Sequence, residues 1–311
     1  MVNLNMLNTL KTVKNNIKNS ILQRGGEIYG GLNTYSQSIN ELESSTNTLV
    51  DGTKFKESTI SSFPAMNTSE MTDMSEMFYN CNNITTIPQL DTSNVTNMNK
   101  TFGRCIKLTT IPLLDTSNVT DMGGMFEVCA ELESIPQLDT SNVTDMSGMF
   151  FYCIKLKTIP LLDTSNVTNM NTMFKQCEYL TTIPQLDTSN VTSMGDMFFE
   201  CPKLKSIPLL DASSLEKIGS GITIGTFYNC PRLTNIGGFK NFGMNSSIYV
   251  VGDFEGLTNL THDSLMNIIN NLYDRKSAGY STAQLVLGSF NLDELSAEEI
   301  AIATRKGWLV S

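Results

Sequence analysis

Cysteine is the residue whose spacing in this chain first suggests chemistry. Six of the seven cysteines recur at equal intervals, at Cys81, Cys105, Cys129, Cys153, Cys177 and Cys201, and Cys230 follows after a five-residue insertion. Thiols form disulfides, bind zinc or act as nucleophiles, but the sequence has no Cys-x-x-Cys pair and a single histidine, His262. We therefore favour buried, reduced thiols that pack as small apolar side chains over disulfides or a metal site.

Other residues that could perform chemistry have simpler explanations. His262 is expected at the surface in the first turn of a helix, and no partner motif accompanies it. Aspartates recur in an Asp-Thr-Ser-Asn phrase, where their side chains bond their own backbone in turns, so calcium is not expected. They are Asp91, Asp115, Asp139, Asp163 and Asp187. We predict no catalytic residue, no metal and no cofactor.

The elements that position these residues follow from the 24-residue period. A phrase of the type Leu-Thr-Thr-Ile-Pro-x-Leu-Asp-Thr-Ser-Asn-Val-Thr-x-Met-x-x-Met-Phe-x-x-Cys repeats from about Phe63 to Cys230. A fixed period of this length predicts a solenoid with one short coil per repeat, in which each coil stacks on its neighbours. The apolar positions expected to face inward in one coil are Leu108, Ile111, Leu114, Val119, Met122, Met125 and Phe126.

Two local signals refine the expected coil. A proline follows the inward isoleucine in each repeat, as Pro112 follows Ile111, and proline cannot donate to a central strand, so the parallel strand should be short. The Met-Phe pair before each cysteine predicts a single helical or 3₁₀ turn. The predicted fold class is α/β: a solenoid with short parallel strands and single helical turns, an N-terminal helical arm and an α+β C-terminal cap.

The repeated phrase carries a resemblance to a known family. The stretch from Asp139 to Phe150, Asp-Thr-Ser-Asn-Val-Thr-Asp-Met-Ser-Gly-Met-Phe, resembles the BspA-type leucine-rich repeats of bacterial surface proteins. The resemblance extends over about half of the chain. It implies a right-handed leucine-rich-repeat solenoid that binds partners and performs no chemistry, and it leaves the particular function open.

Three segments are expected along the chain. Residues 1–45 form an N-terminal arm for attachment or oligomerisation, residues 46–240 the solenoid, and residues 241–311 a C-terminal cap. In the cap we predict strands at Ile248 to Val251 and at Gln284 to Leu287, and a capped helix from Thr261 to Tyr273. Ser296 and Glu299 form a capping box for a last helix, against which Trp308 packs.

The N-terminal arm begins with an amphipathic pattern. Between residues 4 and 22, Leu4, Leu7, Leu10, Val13, Ile17 and Ile21 recur at spacings of three and four, which predicts a helix. This helix either caps the solenoid or mediates self-association. The string at residues 7–21, with Gly30-Gly31-Leu32 and residues 35–42, is similar to N-terminal arms of bacteriophage tail and fibre proteins. That similarity implies contacts with other virion proteins and a homo-oligomer, expected to be a trimer.

Bulk composition excludes two classes of partner. The formal net charge is −10 and the pI is about 4.7, which argues against a nucleic-acid groove lined with Lys and Arg. The chain has no run of eighteen apolar residues, so membrane insertion is not expected. The first thirty residues lack the apolar stretch of a signal peptide, and we expect no export on that ground.

Recognition should use positions at which the repeats differ, because the core does not dictate them. The two residues before each cysteine vary most, and large aromatic residues there offer contact area for a sugar or a protein. The alternative is packing at a coil corner. The candidate ligand-binding residues are Tyr79, Phe151, Tyr152, Tyr179, Phe199 and Tyr228.

A second candidate surface lies in the strand phrase. The residue after each proline alternates between glutamine and leucine, so the unit of duplication is a pair of successive coils, and the position is not deep core. The alternating residues are Gln89, Leu113, Gln137, Leu161, Gln185 and Leu209. This is the strand face with which leucine-rich repeats usually bind.

These observations rank three functions. The first is a non-enzymatic virion adhesion protein, a phage fibre or tail component assembled in the bacterial cytoplasm, that presents the solenoid to a host surface protein or glycan. The second is a bacterial cell-surface adhesin or host-interaction protein. An enzyme comes third, since no constellation of nucleophile, base or metal ligands emerges.

Overall fold

A computed structural model describes residues 49–52, 54–63, 65–215, 226–244, 251–254 and 257–311. The predicted N-terminal arm, residues 1–45, lies outside the described residues. Within the described residues the strands are β1 Ser206–Ile207, β2 Leu210–Asp211, β3 Asn235–Ile236, β4 Phe239–Lys240, β5 Val251–Asp253, β6 Ala283–Val286 and β7 Trp308–Val310. The helices are α1 His262–Asn270, α2 Ser289–Leu292 and α3 Ala297–Arg305.

The repeats stack as parallel coils from Leu49 onward, which is the predicted solenoid. The parallel strands of this phrase are short, as expected: β1 and β2, which lie on either side of Pro208, pair with β3 and β4, each over two residues. The longer parallel contact lies on another side, directly after the Asn-Val-Thr phrase. There, single residues of successive coils form a continuous series of parallel bridges: Asp73, Asn97, Asp121, Asp145, Asn169 and Ser193. Parallel pairing therefore continues through more coils at this position than at the proline phrase.

The single helical or 3₁₀ turn predicted at the Met-Phe pair is wrong, because the segment forms separate hydrogen-bonded turns and no helix. Lys100 and Arg104 adopt left-handed backbone conformations, with φ of 52° and 59°, and this interrupts any helix. Alternate amides instead bond across coils, at 2.6–3.0 Å: Met98, Lys100, Phe102 and Arg104 donate to the carbonyls of Asp121, Gly123, Met125 and Glu127. The amides between them donate three residues back, as Cys105 does to Phe102. Inter-coil hydrogen bonding replaces the helical hydrogen bond at every second residue.

The apolar positions form the core as predicted. Leu108, Ile111, Leu114, Val119, Met122, Met125 and Phe126 are all buried. Phenylalanines of successive coils stack with ring centroids 5.7–6.0 Å apart, in the order Phe78, Phe102, Phe126, Phe150, Phe174, Phe198 and Phe227. Burial of these ladders between neighbouring coils is the main stabilising contribution of the array.

All seven cysteines are buried and free, which confirms the predicted thiol ladder. Each Sγ lies 3.0–3.1 Å from the carbonyl oxygen of a phenylalanine in the preceding coil and donates to it. Burial raises the pKa of Cys81 to about 12 and that of Cys230 to about 11. The thiols therefore act as buried hydrogen-bond donors.

Polar side chains of the turn also connect the coils. Thr116 is buried and donates from Oγ1 to the carbonyl of Asp139 at 2.7 Å. The Nδ2 of Asn142 donates to the carbonyl of Ser117 at 2.8 Å, and the same bond recurs at Asn94, Asn118, Asn166 and Asn190. The Asn-Val-Thr triplets are thus explained by stacking of the coils.

The C-terminal residues form a small α/β unit in which β5, β6 and β7 pair as a parallel sheet. Thr261 caps α1, and Ser296 with Glu299 forms the predicted capping box of α3. The strand expected at Gln284 to Leu287 is β6. Of the strand expected at Ile248 to Val251, residues 248–250 lie outside the described residues, and Val251 begins β5. Among the described residues, no helix has the length and apolar character needed to cross a membrane.

Trp308 joins this unit to the end of the solenoid. Its ring stacks on Phe242 with centroids 5.6 Å apart, and Nε1 donates to the carbonyl of Tyr273 at 3.0 Å. Gly243 adopts φ of 84°, and a Cβ there would lie 2.6 Å from the Trp308 ring. The glycine is therefore required for this close approach.

Candidate binding surface

The residues two positions before each cysteine line one side of the solenoid. We call this set the lateral row: Tyr79, Gly103, Glu127, Phe151, Lys175, Phe199 and Tyr228. The row follows from the coil geometry, because the next residue toward the cysteine is left-handed and the cysteine itself points into the core. Apart from the buried Gly103, the residues of the row are half-buried or exposed, so the core does not dictate their types.

The C-terminal half of the lateral row combines aromatic rings with a cation. Lys175 Nζ lies 4.3 Å above the Phe199 ring and 2.9 Å from an Asp196 carboxylate oxygen. Phe199 stacks on Tyr228 with centroids 5.1 Å apart, and Tyr228 is 57 % exposed. Phe151 occupies the next coil on the other side of Lys175. Together, Phe151, Lys175, Phe199 and Tyr228 form a contiguous surface that offers both stacking and charge.

Tyr79 lies apart from that surface. Its ring covers Gly103, where an added Cβ would be 2.9 Å from Tyr79 Cδ2, and Lys56 Nζ lies 4.9 Å from its centroid. Gly103 and Glu127 separate Tyr79 from Phe151. The aromatic stripe suggested by the sequence is therefore two separate patches.

Tyr152 and Tyr179 flank the lateral row. Tyr152 is 37 % exposed, adopts φ of 58° and lies 6.2 Å from Phe151 between ring centroids. Tyr179 is 42 % exposed, and Lys203 Nζ lies 3.2 Å from its ring centroid. Among the candidate residues, these two and Tyr228 present the largest accessible aromatic surface.

The alternating glutamine and leucine residues lie along a second surface, which we call the leucine groove. Leu113 and Leu161 are 65 % and 62 % exposed, whereas Gln137 is bound to backbone. Gln137 Nε2 donates to the carbonyls of Leu161 in the next coil and of Leu138, at 2.8 and 3.1 Å. The groove has a volume of about 930 Å³ between Gln137 and Lys240. The residue after proline therefore lies at the surface, as predicted.

A row of aspartates borders the leucine groove. Asp139 accepts hydrogen bonds from the hydroxyl and the amide of Ser141 at 2.7 and 3.0 Å, and these bonds lower the pKa of its carboxyl. Equivalent bonds from serine lower the pKa of Asp91, Asp115 and Asp163. These are the predicted turns, and they hold ionised carboxylates one coil apart. At the end of the row, Lys240 binds Asp211 at 2.8 Å.

A third groove, of about 1030 Å³, separates the last coil from the C-terminal unit. Lys205, Arg232 and His262 line it together with Phe290, which is 70 % exposed. His262 Nε2 lies 3.0 Å from Glu299 on α3, so it connects two helices at the surface as a half-exposed side chain. In the described part of the chain, no group of three or more His, Cys, Asp or Glu side chains could hold a metal ion.

Sequence reasoning missed two features of these surfaces. Lys175 and Lys203 lie against Phe199 and Tyr179, and the sequence signal was a lysine one repeat away from an aromatic residue. The glutamine bonds to the next coil were also missed. The sequence signal for these bonds was the proline that precedes each glutamine. Proline has no amide hydrogen to donate, so backbone carbonyls near it remain available to the glutamine side chain.

The fold and these surfaces define a repeat solenoid of leucine-rich-repeat type with variable exposed rows. A family model described as "Mycoplasma protein of unknown function, DUF285" matches residues 43–150 and 129–223, which together span more than half of the chain. The chain belongs to this family. No curated protein matches the sequence.

Two solved structures are similar to the chain. A leucine-rich-repeat protein of T. pallidum shares 17 % identity with a TM-score of 0.36, and the match covers 78 % of this chain and 85 % of that one. A leucine-rich cell surface protein of Faecalibacterium prausnitzii shares 18 % identity with a TM-score of 0.18, over 54 % of this chain and 76 % of that one. Neither is described as a phage protein, and the phage similarity of residues 7–42 has no support from these comparisons.

Proposed function

We propose that this protein is a non-enzymatic binding protein of a bacterial cell surface, which recognises a host surface protein or glycan. The observation that carries the proposal is the contiguous surface formed by Phe151, Lys175, Phe199 and Tyr228. Buried positions repeat almost unchanged between coils, whereas this row changes from coil to coil. Large aromatic side chains on a rigid scaffold are typical anchors of recognition.

Several features support a binding role over catalysis. Lys175, the cation of the lateral row, is paired with Asp196. The cysteines are buried donors with raised pKa values, which is the reverse of an activated nucleophile. The resemblance of the repeat phrase to BspA-type surface proteins supports a location at the cell surface, and it is the basis for preferring that location to a virion.

The chemistry of the row favours a ligand with both an apolar face and polar groups. Phe199 and Tyr228 supply stacked rings, and Lys175 supplies a charge beside them. Gln176 Nε2 donates to Glu200 at 2.7 Å, so a paired amide and carboxylate border the rings. A pyranose ring or a peptide side chain could occupy such a surface.

The test is attachment of purified full-length protein to host cells and to arrayed glycans. Replacement of Phe199 and Tyr228 together by alanine should reduce attachment at least tenfold, because hot-spot aromatics contribute about 2 kcal/mol or more each. Phe151→Ala with Tyr152→Ala should act in the same direction. The melting temperature should change little, since these side chains are exposed or half-buried.

Tyr79→Ala is the matched control. It belongs to the same row but is separated from the proposed surface by Gly103 and Glu127. Equal loss of attachment in Tyr79→Ala and in the Phe199/Tyr228 variant would contradict the assignment of the surface. Unchanged attachment in every aromatic variant would contradict the proposed function itself.

A further inference from the structure

The leucine groove presents more free hydrogen-bond acceptors than donors. The side-chain Nε2 of Gln137 donates to two backbone carbonyls, and no donor from the described residues bonds to its Oε1. Asp139 uses Oδ1 for Ser141, and its Oδ2 has no partner in the described part of the chain. The cation that lines the groove, Lys240, is bound to Asp211. A molecule that covers this face must therefore bring donors and positive charge.

The groove also has an apolar repeat with a defined spacing. Leu113, Leu161 and Leu209 are exposed and lie two coils apart. Two coils correspond to about 9.6 Å at the separation of parallel strands. Residues seven apart on an α-helix are separated by about 10.5 Å along its axis. A helix laid along the solenoid could therefore place apolar residues seven apart against successive leucines.

One segment of this chain has both properties. Residues 1–26 contain Lys11, Lys14, Lys18 and Arg24, and all 31 acidic residues of the chain follow them. Leu10 and Ile17 lie seven residues apart, with lysines beside them. We propose that the basic amphipathic segment at residues 4–22 docks on the leucine groove, with its lysines facing the aspartate row and its apolar residues contacting the exposed leucines.

Length permits this arrangement. A helix over residues 4–22 would be about 28 Å long. The three leucines span four coils, or about 19 Å. Residues 23–48 connect the segment to the first coil and reach up to about 85 Å when extended. Because the segment is tethered to the groove, a modest affinity suffices for high occupancy.

Limited trypsin digestion of the full-length protein tests the proposal. Docking should protect the bonds after Lys11, Lys14 and Lys18, and mass spectrometry follows each cleavage separately. The triple change Asp139→Asn, Asp163→Asn, Asp187→Asn removes charge but retains an oxygen that accepts from the serine of each turn. Loss of three exposed ion pairs should accelerate these cleavages about tenfold.

The control carries the same change in net charge on other surfaces: Glu131→Gln, Glu133→Gln and Glu178→Gln. It should leave the cleavage rates within about twofold of the wild type. Leu161→Ser, which removes the exposed apolar group without altering charge, should accelerate cleavage. Circular dichroism melting confirms that each variant is folded, which these surface changes permit.

Photo-cross-linking locates the segment directly. With p-benzoyl-L-phenylalanine in place of Leu10, cross-links should reach residues of the leucine groove, and mixing of isotope-labelled and unlabelled protein assigns them to the same or a neighbouring chain. Cross-links confined to another surface would overturn the proposal. Cleavage at Lys11, Lys14 and Lys18 that is as fast in the wild type as in the triple variant would do the same. The Phe199/Tyr228 variant should not alter these rates, so this test is independent of the adhesion test.

Discussion

The Sγ of Cys153 donates a hydrogen bond of 3.0 Å to the carbonyl oxygen of Phe126 in the preceding coil. Phe126 in turn stacks on Phe150, whose backbone carbonyl accepts from Cys177 at 3.1 Å. Thiol bonds and ring stacking therefore join the same pairs of coils. The carbonyl of Phe126 also accepts from the amide of Cys129 in its own coil at 3.1 Å, so the thiol of the next coil supplies a second donor to a carbonyl buried in the core.

Reactivity of the cysteines should report on folding of the array. We expect all seven thiols to resist a thiol reagent such as Ellman's reagent in the native protein and to react in denaturant, because they are buried. Counting of labelled thiols by mass spectrometry checks this. Fast labelling of the central thiols without denaturant would contradict the buried ladder.

Alkaline pH should destabilise the solenoid. Burial raises the pKa of Cys81 from its ordinary value of 9.0 to about 12, so the folded state holds a proton that the unfolded state loses. This stabilisation is complete below pH 9 and is lost as the pH rises toward 12, up to a limit of about 4 kcal/mol for this thiol. Urea unfolding at pH 8 and pH 10 measures the loss. Cys81→Ala should show a weaker dependence on pH than the wild type.

Truncation of one ring in the phenylalanine ladder should be costly. Phe150 is fully buried between Phe126 and Phe174, so Phe150→Ala should lower the free energy of unfolding by about 3–5 kcal/mol. The neighbouring Phe151→Ala removes a half-buried ring and should cost less than about 1.5 kcal/mol. Denaturant titration of both variants measures the contrast. Equal costs would show that the two rings are equally packed.

The turn before each cysteine offers a stabilising change. Val128 adopts φ of 60°, a left-handed conformation that is unfavourable for a β-branched residue. The same position holds Asn80 and Asn229 in other coils, with φ of 61° and 58°. Val128→Asn should raise the free energy of unfolding by about 1 kcal/mol, and Asn80→Val should lower it by a similar amount. Thermal and urea unfolding of the two variants test the opposite signs.

The core was predictable because each buried position has a copy in the neighbouring coil, so Leu108 or Phe126 could be assigned inward from periodicity alone. The turn before the cysteine was not predictable. Lys100 and Thr172 are poor left-handed residues, and their conformation is imposed by hydrogen bonds to the next coil. The residues around the turn do not indicate its left-handed conformation, because the hydrogen-bond partners that impose it lie one repeat further along the chain.

The candidate surfaces were predictable in part for a related reason. Variation between repeats indicated which positions avoid the core, and Tyr228 and Leu161 are indeed exposed. Contacts between neighbouring coils decide which of these side chains are covered. Lys203 packs on Tyr179 because these two repeats differ from the others at the positions of these side chains. A consensus repeat averages such differences and does not predict the contact.

The bond from Gln137 to the carbonyl of Leu161 also bears on how such a gene can change length. Recombination that deletes one coil would bring Leu113 next to Leu161 and leave the Leu161 carbonyl without its amide. Deletion or duplication of a pair of coils keeps every glutamine beside its leucine. Natural variants of this array should therefore differ in length by whole pairs of coils, so that the number of exposed leucines changes one at a time.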